Sequence, residues 1–194
     1  MQRITGGLLR GRKLLALPGG VTSLRPTGAR VREAIFNRLQ GEVSGARVLD
    51  LFAGSGALAI EALSRGAEAA VLVERERVIV QHLRRQLAAV GLETRARVIA
   101  RDARELVRGA PEGGPFELAF LDPPYATARA ETAALLEALA ASGWLARDAL
   151  VIFEYERAGA GAGFVAGGYT NEASRRYGQT AVDYLRWSGL GDAS

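Results

Sequence analysis

The sequence contains no cysteine, one histidine and, among its 25 basic residues, one lysine. The absence of cysteine excludes disulfides, thiolate nucleophiles and cysteine-ligated zinc. A catalytic triad or metal site that relied on His82 alone would need unusual partners, so we expect a protein without a metal. We interpret His82 itself as a surface residue of a helix.

Long apolar runs are missing as well. No run approaches the ~18 residues needed to cross a bilayer, and no apolar core follows Arg3, as a signal peptide would require. We therefore expect a cytoplasmic protein without a membrane partner. With 194 residues, 48% of them hydrophobic, the chain is long enough to bury one domain and carry a small appendage.

Positive charge is concentrated at one end of the chain. Residues 1–40 have a net charge of +7, and the remaining residues have a net charge of −3. A surface that contacts nucleic-acid phosphates needs such a concentration, although a solvated basic face that binds nothing explains the charge too. We predict that this segment docks RNA through phosphate contacts from Arg10, Arg12, Lys13 and Arg32.

Apolar runs alternate with helical patterns along most of the chain. The strand-like runs cover residues 48–52, 70–73, 98–100, 118–121 and 150–153, and the main helical patterns cover 27–39, 57–65, 77–90, 103–108 and 130–142. Strands that are apolar throughout and separated by helices predict a parallel sheet with helices on both faces. Residues 2–16 favour a β-hairpin around Gly6 and Gly7, and residues 171–187 favour an antiparallel hairpin at the sheet edge.

A glycine-rich turn follows the first apolar run. In the run from Val48 to Ala59 a strand leads through Gly54-Ser55-Gly56 into a helix, so backbone can approach a ligand there. Glu74 ends the next apolar run, where an acid can accept from both hydroxyls of a ribose. The glycine-rich turn and Glu74 by themselves fit a dinucleotide-binding enzyme nearly as well as a methyltransferase. Asp50 disfavours the dinucleotide-binding enzyme, because a carboxylate repels a pyrophosphate but suits a cationic ligand.

S-adenosylmethionine is such a ligand, since it has a sulfonium, an ammonium and no phosphate. We expect its amino-acid part near Asp50, its ribose at Glu74 and its adenine beside Asp102, which otherwise caps a helix. The predicted cofactor-binding residues all lie at these strand ends: Asp50, Phe52, Ala53, Gly54, Ser55, Gly56, Glu74, Arg75, Asp102 and Ala103.

A second motif, Asp122-Pro123-Pro124-Tyr125, follows the fourth apolar run and is predicted to carry the catalysis. The lone pair of an amino group on an aromatic base is delocalised, so the group is a poor nucleophile. The Asp122 carboxylate and the Pro123 carbonyl can accept from both N–H groups and direct the lone pair at a methyl carbon. Proline at 123 and 124 stiffens these acceptors, and Tyr125 offers a flat face for an extruded base.

These motifs together resemble the bacterial RsmD family of Rossmann-type amino-methyltransferases. The resemblance covers nearly the full length, and it includes the stretches 3–7, 10–14, 24–27, 30–37, 50–56, 61–66, 122–125 and 177–180. It implies methylation of a guanine N2 amine in small-subunit (16S) ribosomal RNA, with S-adenosylhomocysteine as a product. Ala29 departs from the family, which usually has an acid at that position.

The resemblance also implies a Rossmann-like fold of seven strands whose last pair is antiparallel. Residues 1–20 are then a hairpin extension, and residues 21–194 are the methyltransferase domain. Arg25, Thr27 and Arg30 are placed near the entrance of the active site. We expect a monomer whose partner is ribosomal RNA, in a small-subunit particle or an assembly intermediate.

Three alternatives stay open from the sequence. The motif recognises an amino group and not a ring, so adenine N6 or cytosine N4 in DNA, or a protein glutamine, fits too. An NAD-dependent oxidoreductase leaves the second motif without a use. A non-catalytic RNA-binding assembly factor leaves the cofactor motif unexplained. Two tryptophans, Trp144 and Trp187, are expected to pack in the protein interior. We expect Arg175 and Arg176 either to contact RNA or to cap the edge hairpin. For Glu154, a structural and a functional role are both open.

Overall fold

The computed structural model describes residues 2–19, 28–123, 129–156 and 167–189. Five helices lie in these residues: α1 (Ala29–Arg38), α2 (Ala57–Ser64), α3 (Arg77–Val90), α4 (Ala103–Leu106) and α5 (Arg129–Ala141). The strands are β1 (Arg47–Leu51), β2 (Ala69–Glu74), β3 (Ala96–Ala100), β4 (Phe116–Leu121), β5 (Leu145–Glu156), β6 (Tyr169–Tyr177) and β7 (Thr180–Trp187). No helix among them has the length and apolar composition needed to span a membrane.

The strands form one seven-stranded sheet in the order β3-β2-β1-β4-β5-β7-β6. The first five pair in parallel, whereas β7 runs antiparallel to both β5 and β6. This is the predicted fold class. The chain reverses its direction of progress across the sheet between β1 and β4, and such a switch point is where open α/β sheets bind ligands.

Apolar side chains cover both faces of the sheet, as the unbroken hydrophobic strands predict. One cluster joins one face to α1, α2 and α3, and it includes Phe36, whose ring centroid is 5.7 Å from that of Phe120. The second cluster joins the other face to α4 and α5. Trp144 is fully buried against Phe116, and Trp187 packs on Tyr169, so both tryptophans are packing residues as expected.

The N-terminal segment (residues 2–19) pairs with itself less extensively than predicted. A single antiparallel bridge joins Arg3 to Lys13, and the backbone N–H of Ile4 donates to the carbonyl of Arg12. Three backbone hydrogen bonds join residues 2–4 to residues 11–14, and the residues between them bond to α2: the N–H of Leu8 donates to the Ser64 carbonyl over 2.8 Å. At Gly7, with φ of +74°, a Cβ would lie 1.8 Å from that carbonyl oxygen.

A buried carboxylate on α2 anchors the segment. Glu61 accepts from the backbone N–H and the hydroxyl of Thr5 over 2.8 and 2.7 Å, and its ion pairs with Arg65 and Arg32 span 2.9 and 3.4 Å. Burial alone would raise the pKa of Glu61, but the hydrogen bonds from Thr5 and Arg65 outweigh it and hold the pKa below its ordinary value. The carboxylate is therefore ionised at neutral pH and joins three parts of the chain.

Two residue predictions are wrong. The sequence predicts an RNA contact for Arg32, but its side chain is fully buried, paired with Glu61, and donates to the Arg3 carbonyl over 2.6 Å. The sequence also predicts His82 on the surface, but it is 2% exposed on the inner side of α3. Burial lowers the pKa of His82, with a smaller contribution from Arg85, which favours the neutral ring.

We predict that Glu61→Gln lowers the free energy of unfolding by about 3 kcal/mol, since it leaves the buried Arg32 guanidinium without its countercharge. Urea titration measures this change, and hydrogen exchange at the Thr5 amide should become faster. The matched control is Glu68→Gln on the exposed loop after α2, for which we expect a change within about 0.5 kcal/mol. Equal changes in the two variants would show that the carboxylate does not anchor the segment.

Candidate functional site

The glycine-rich turn lies at the carboxyl end of β1, in the centre of the sheet. Phe52 and Gly54 have positive φ values of 66° and 52°, and Gly56, at φ 73°, is the N-cap of α2. The N–H of Gly56 closes the turn on the carbonyl of Ala53 over 2.7 Å. A Cβ at Gly56 would come within 2.7 Å of Leu83, so both the backbone conformation and the packing require glycine.

Glu74 fixes the turn to the next strand. One oxygen of its carboxylate accepts from the N–H of Gly54 over 3.1 Å, and the other accepts from the N–H of Glu76 over 2.9 Å. The side chain is nearly buried. A carboxylate has about four lone-pair positions, so Glu74 retains acceptor capacity for a ligand at the edge of the sheet.

Asp50 is buried behind the turn on the side of α2. Its carboxylate accepts from the N–H of Ala59 over 3.2 Å. Burial, the largest cause, and the negative charge of Glu74 raise the pKa of Asp50, the hydrogen bond from Ala59 opposes this shift, and the net result is a pKa of about 8. In the protein without a ligand, Asp50 is therefore mostly protonated at pH 7, and a cation placed near it would favour the ionised form.

Asp102 follows the third strand and caps α4. Its Oδ1 accepts from the N–H of Arg104 over 2.8 Å, and its Oδ2 lies 3.6 Å from the guanidinium of Arg75. The helix cap that the sequence offered as the alternative is present. Arg75 is 56% exposed and Asp102 is 25% exposed, so solvent reaches both side chains at this edge.

The second motif begins directly after β4, which pairs with β1. Leu51 lies opposite Leu121, so Asp122 comes next to Phe52 at the start of the turn. Asp122 is half-buried and Pro123 is buried. Pro124 and Tyr125 lie outside the described residues. The structure thus brings the first two motif residues beside the glycine-rich turn, as the sequence predicts.

Glu154, which the sequence left undecided, lies on the other side of Asp122. Leu121 pairs with Phe153, so the next residues along β4 and β5 are Asp122 and Glu154. Glu154 is 5% exposed. Strand register is the signal that reveals this neighbour, and it is not readable from the spacing of the two residues in the chain.

The predicted RNA-binding residues are divided among several places. Arg10, Arg12 and Lys13 are exposed on the N-terminal segment, and Arg30 is exposed on α1. The Arg12 guanidinium also donates to the Val90 carbonyl over 3.2 Å. Arg25 and Thr27 lie outside the described residues. Arg175 and Arg176 are exposed on β6, whose turn into β7 faces the carboxyl edge because Thr180 pairs with Glu156.

The chain matches the family model described as Conserved hypothetical protein 95 over residues 2–186. Ribosomal RNA small subunit methyltransferase D of Escherichia coli (strain K12) is 44% identical to it over 155 residues, which are 79% of this chain and 74% of the relative. YlbH of Bacillus subtilis (strain 168) is 40% identical over 156 residues, which are 80% and 83% of the two chains.

Solved structures agree with these matches. The structure of yhhF from Escherichia coli superposes with a TM-score of 0.82 and 36% sequence identity, covering 96% of this chain and 97% of that chain. The family predicted from the motifs is confirmed. The chain therefore belongs to the Conserved hypothetical protein 95 family, the RsmD-type methyltransferases.

Proposed function

We propose that this protein transfers a methyl group from S-adenosylmethionine to the N2 amine of a guanine in small-subunit ribosomal RNA. The observation that carries the proposal is the position of Asp122, beside the glycine-rich turn at the switch point of the sheet. The name of the Escherichia coli relative supports small-subunit ribosomal RNA as the substrate. The guanine N2 amine is the finer part of the proposal, which the RsmD resemblance suggests.

The side chains at the carboxyl edge fit S-adenosylmethionine. Asp50, Glu74 and Asp102 are acids at or near three neighbouring strand ends, which suits a ligand with an ammonium, a ribose diol and an adenine amine. When bound, the cofactor supplies the methyl group and leaves as S-adenosylhomocysteine, whose sulfur keeps the electron pair of the broken C–S bond. Glu74 holds the Gly54 amide in place and offers its remaining lone pairs to the ribose.

Asp122 and the carbonyl of Pro123 hold the two hydrogens of the amine. This directs the nitrogen lone pair towards the methyl carbon, and the buried ring of Pro123 keeps the carbonyl in a fixed position. As the N–C bond forms, the nitrogen loses one proton to water or to the Asp122 carboxylate. The proposal also includes Pro124, and it assigns Tyr125 to stacking on the base.

Docking of the RNA is assigned to residues 1–40. Arg10, Arg12, Lys13 and Arg30 are assigned to phosphate contacts, and Arg25 and Thr27 to the entrance of the active site. The tip of the N-terminal segment is bonded to Ser64, at the far end of α2 from the glycine-rich turn. Eight helical residues separate these points, or about 12 Å at 1.5 Å per residue, so the exposed cations reach phosphates that flank the modified base. Such contacts offset the few kcal/mol that extruding a base costs. We extend the proposal to a cytoplasmic monomer that acts on a small-subunit particle or assembly intermediate.

Mass mapping of methylated nucleosides in small-subunit RNA, from cells with and without this protein, tests the proposed function. We expect one N2-methylguanosine to disappear without the protein and to return when it is supplied again. Loss of a methylated adenine or cytosine instead would favour the other amine acceptors. Calorimetric titration with S-adenosylmethionine and with NAD separates a methyltransferase from an oxidoreductase.

We predict that Asp122→Ala lowers the single-turnover rate of methyl transfer by about 100-fold or more, because it removes an acceptor that aligns the amine. The affinity for S-adenosylmethionine, measured by calorimetry, should remain within about twofold of wild type, because Asp122 is assigned to the amine and not to the cofactor. Near-normal turnover in this variant would remove Asp122 from the proposed mechanism.

The raised pKa of Asp50 predicts how stability depends on pH. An aspartate in the unfolded chain has a pKa of about 3.9, whereas Asp50 in the folded protein has a pKa of about 8. Between these values the folded state keeps a proton that the unfolded state has released, so stability falls as pH rises. Between pH 5 and 7 and without cofactor, the free energy of unfolding of wild type should fall, relative to that of Asp50→Asn, by up to about 1.4 kcal/mol per pH unit. Parallel curves from urea unfolding would contradict this.

Replacing Arg10, Arg12 and Lys13 together with glutamine should weaken RNA binding and flatten its salt dependence. The slope of log affinity against log salt should fall by up to about 0.9 for each phosphate that the variant no longer neutralises, while affinity for S-adenosylmethionine should stay unchanged. Removing the exposed Arg108 and Arg147, which lie outside the N-terminal segment, provides the control. Identical slopes for wild type and the triple variant would move the docking surface elsewhere, with Arg175 and Arg176 as the next candidates.

A further inference from the structure

The proposed function requires the active site to distinguish guanine from the other bases that carry an exocyclic amine. Asp122 and the Pro123 carbonyl accept from an amine of any kind. A residue that distinguishes the rings must lie beside them, at the carboxyl edge. Among the described residues, Glu154 occupies that position on the neighbouring strand.

The register of β4 and β5 places the two acids side by side. Leu121 pairs with Phe153 in parallel, and Asp122 and Glu154 are the next residues on each strand. Neighbouring strands lie about 4.8 Å apart, so the backbones of the two residues are close enough for both side chains to contact the same base. Asp50 and the glycine-rich turn lie on the opposite side of β4, because β1 and β5 flank β4.

The burial of Glu154 is unusual for a carboxylate. It is 5% exposed at a strand end, although Glu156, two residues further along the same strand and on the same face, is exposed. Burying a carboxylate costs free energy unless it accepts hydrogen bonds. Glu154 interacts with another group of the protein, and because a carboxylate has about four lone-pair positions it can also accept from a donor that enters the site.

The edge of guanine next to its amine differs from those of the other bases. In guanine, the ring atom N1 beside the N2 amine carries a hydrogen and donates. In adenine and cytosine, the ring nitrogen beside the amine has a lone pair and accepts. A carboxylate facing that ring atom therefore bonds to guanine and repels adenine and cytosine, and a site with buried polar groups strongly rejects a ligand that leaves them unpaired.

We propose that Glu154 is the residue that selects guanine, by accepting a hydrogen bond from the N1–H of the base while Asp122 and the Pro123 carbonyl accept from its N2 amine. This inference rests on the proposed function. Three contiguous N–H groups of guanine then meet acceptors on two adjacent strands. The selection comes from the fold, because only the pairing of β4 with β5 brings these acceptors together.

The test uses 2-aminopurine, which keeps the amine of guanine but has a lone pair at N1. Short small-subunit RNA fragments with guanine or 2-aminopurine at the mapped position are methylated under single-turnover conditions. Wild type should prefer guanine by at least about 100-fold. Glu154→Gln, whose amide can donate to the N1 lone pair, should narrow the preference to about tenfold or less. Its affinity for S-adenosylmethionine should be unchanged.

Two further variants complete the experiment. Glu156→Gln, the matched control on the same strand face, should keep the wild-type preference. Glu154→Asp keeps a carboxylate on a shorter side chain, so the preference should persist even where the rate falls. The inference is overturned if Glu154→Gln remains as selective as wild type, or if Glu154→Asp loses the preference. A wild-type protein that methylates no guanine contradicts the proposed function instead.

Discussion

Strand β1 pairs in parallel with β4, although two other strands lie between them in the chain. Because parallel strands end at the same edge, this pairing places Asp122 next to the glycine-rich turn. A shift of the register by one residue would move Asp122 by about 3.3 Å and turn the side chains of β4 to the opposite face. Such a shift would also take Phe120 away from Phe36, whose ring centroid is 5.7 Å from that of Phe120, so the packing of the core holds the proposed catalytic geometry.

Helix α2 joins the proposed cofactor and RNA sites mechanically. It begins at Gly56 in the turn and ends at Ser64, to which the N-terminal segment is bonded. The buried Glu61 lies between these points and ties the segment to α1 as well as to α2. Removing one partner of a buried ion pair costs several kcal/mol, so the proposed docking surface is held at a fixed distance from the proposed site of methyl transfer.

The two wrong residue predictions have a common physical cause. Arg32 and His82 are polar residues on the inner sides of α1 and α3, where the helical period aligns them with Phe36 and Ile79. Their polarity led to the prediction of exposed side chains. The N-terminal segment covers this side: the N–H of Leu15 donates to Gln86 on α3 over 2.5 Å, and Arg32 donates to the Arg3 carbonyl. The helical period shows which side of each helix these residues occupy, but it does not show that a distant segment covers that side. The expected N-terminal hairpin is present as one bridge with three backbone hydrogen bonds, and its turn, residues 5–9, bonds to α2.

The sequence by itself determined the fold class and the positions of the parallel strands, because the spacing and content of apolar residues are local properties of the chain. Strand β5 nevertheless extends beyond the predicted residues 150–153 at both ends. It also indicated the residues to which the chemistry is assigned in our proposal, since Asp122 and the glycine-rich turn are recognisable as contiguous motifs. Only the tertiary structure decided that Glu61 anchors the N-terminal segment and that Glu154 lies beside Asp122. Both contacts join distant parts of the chain, and such contacts depend on strand order, register and burial, which no local pattern encodes.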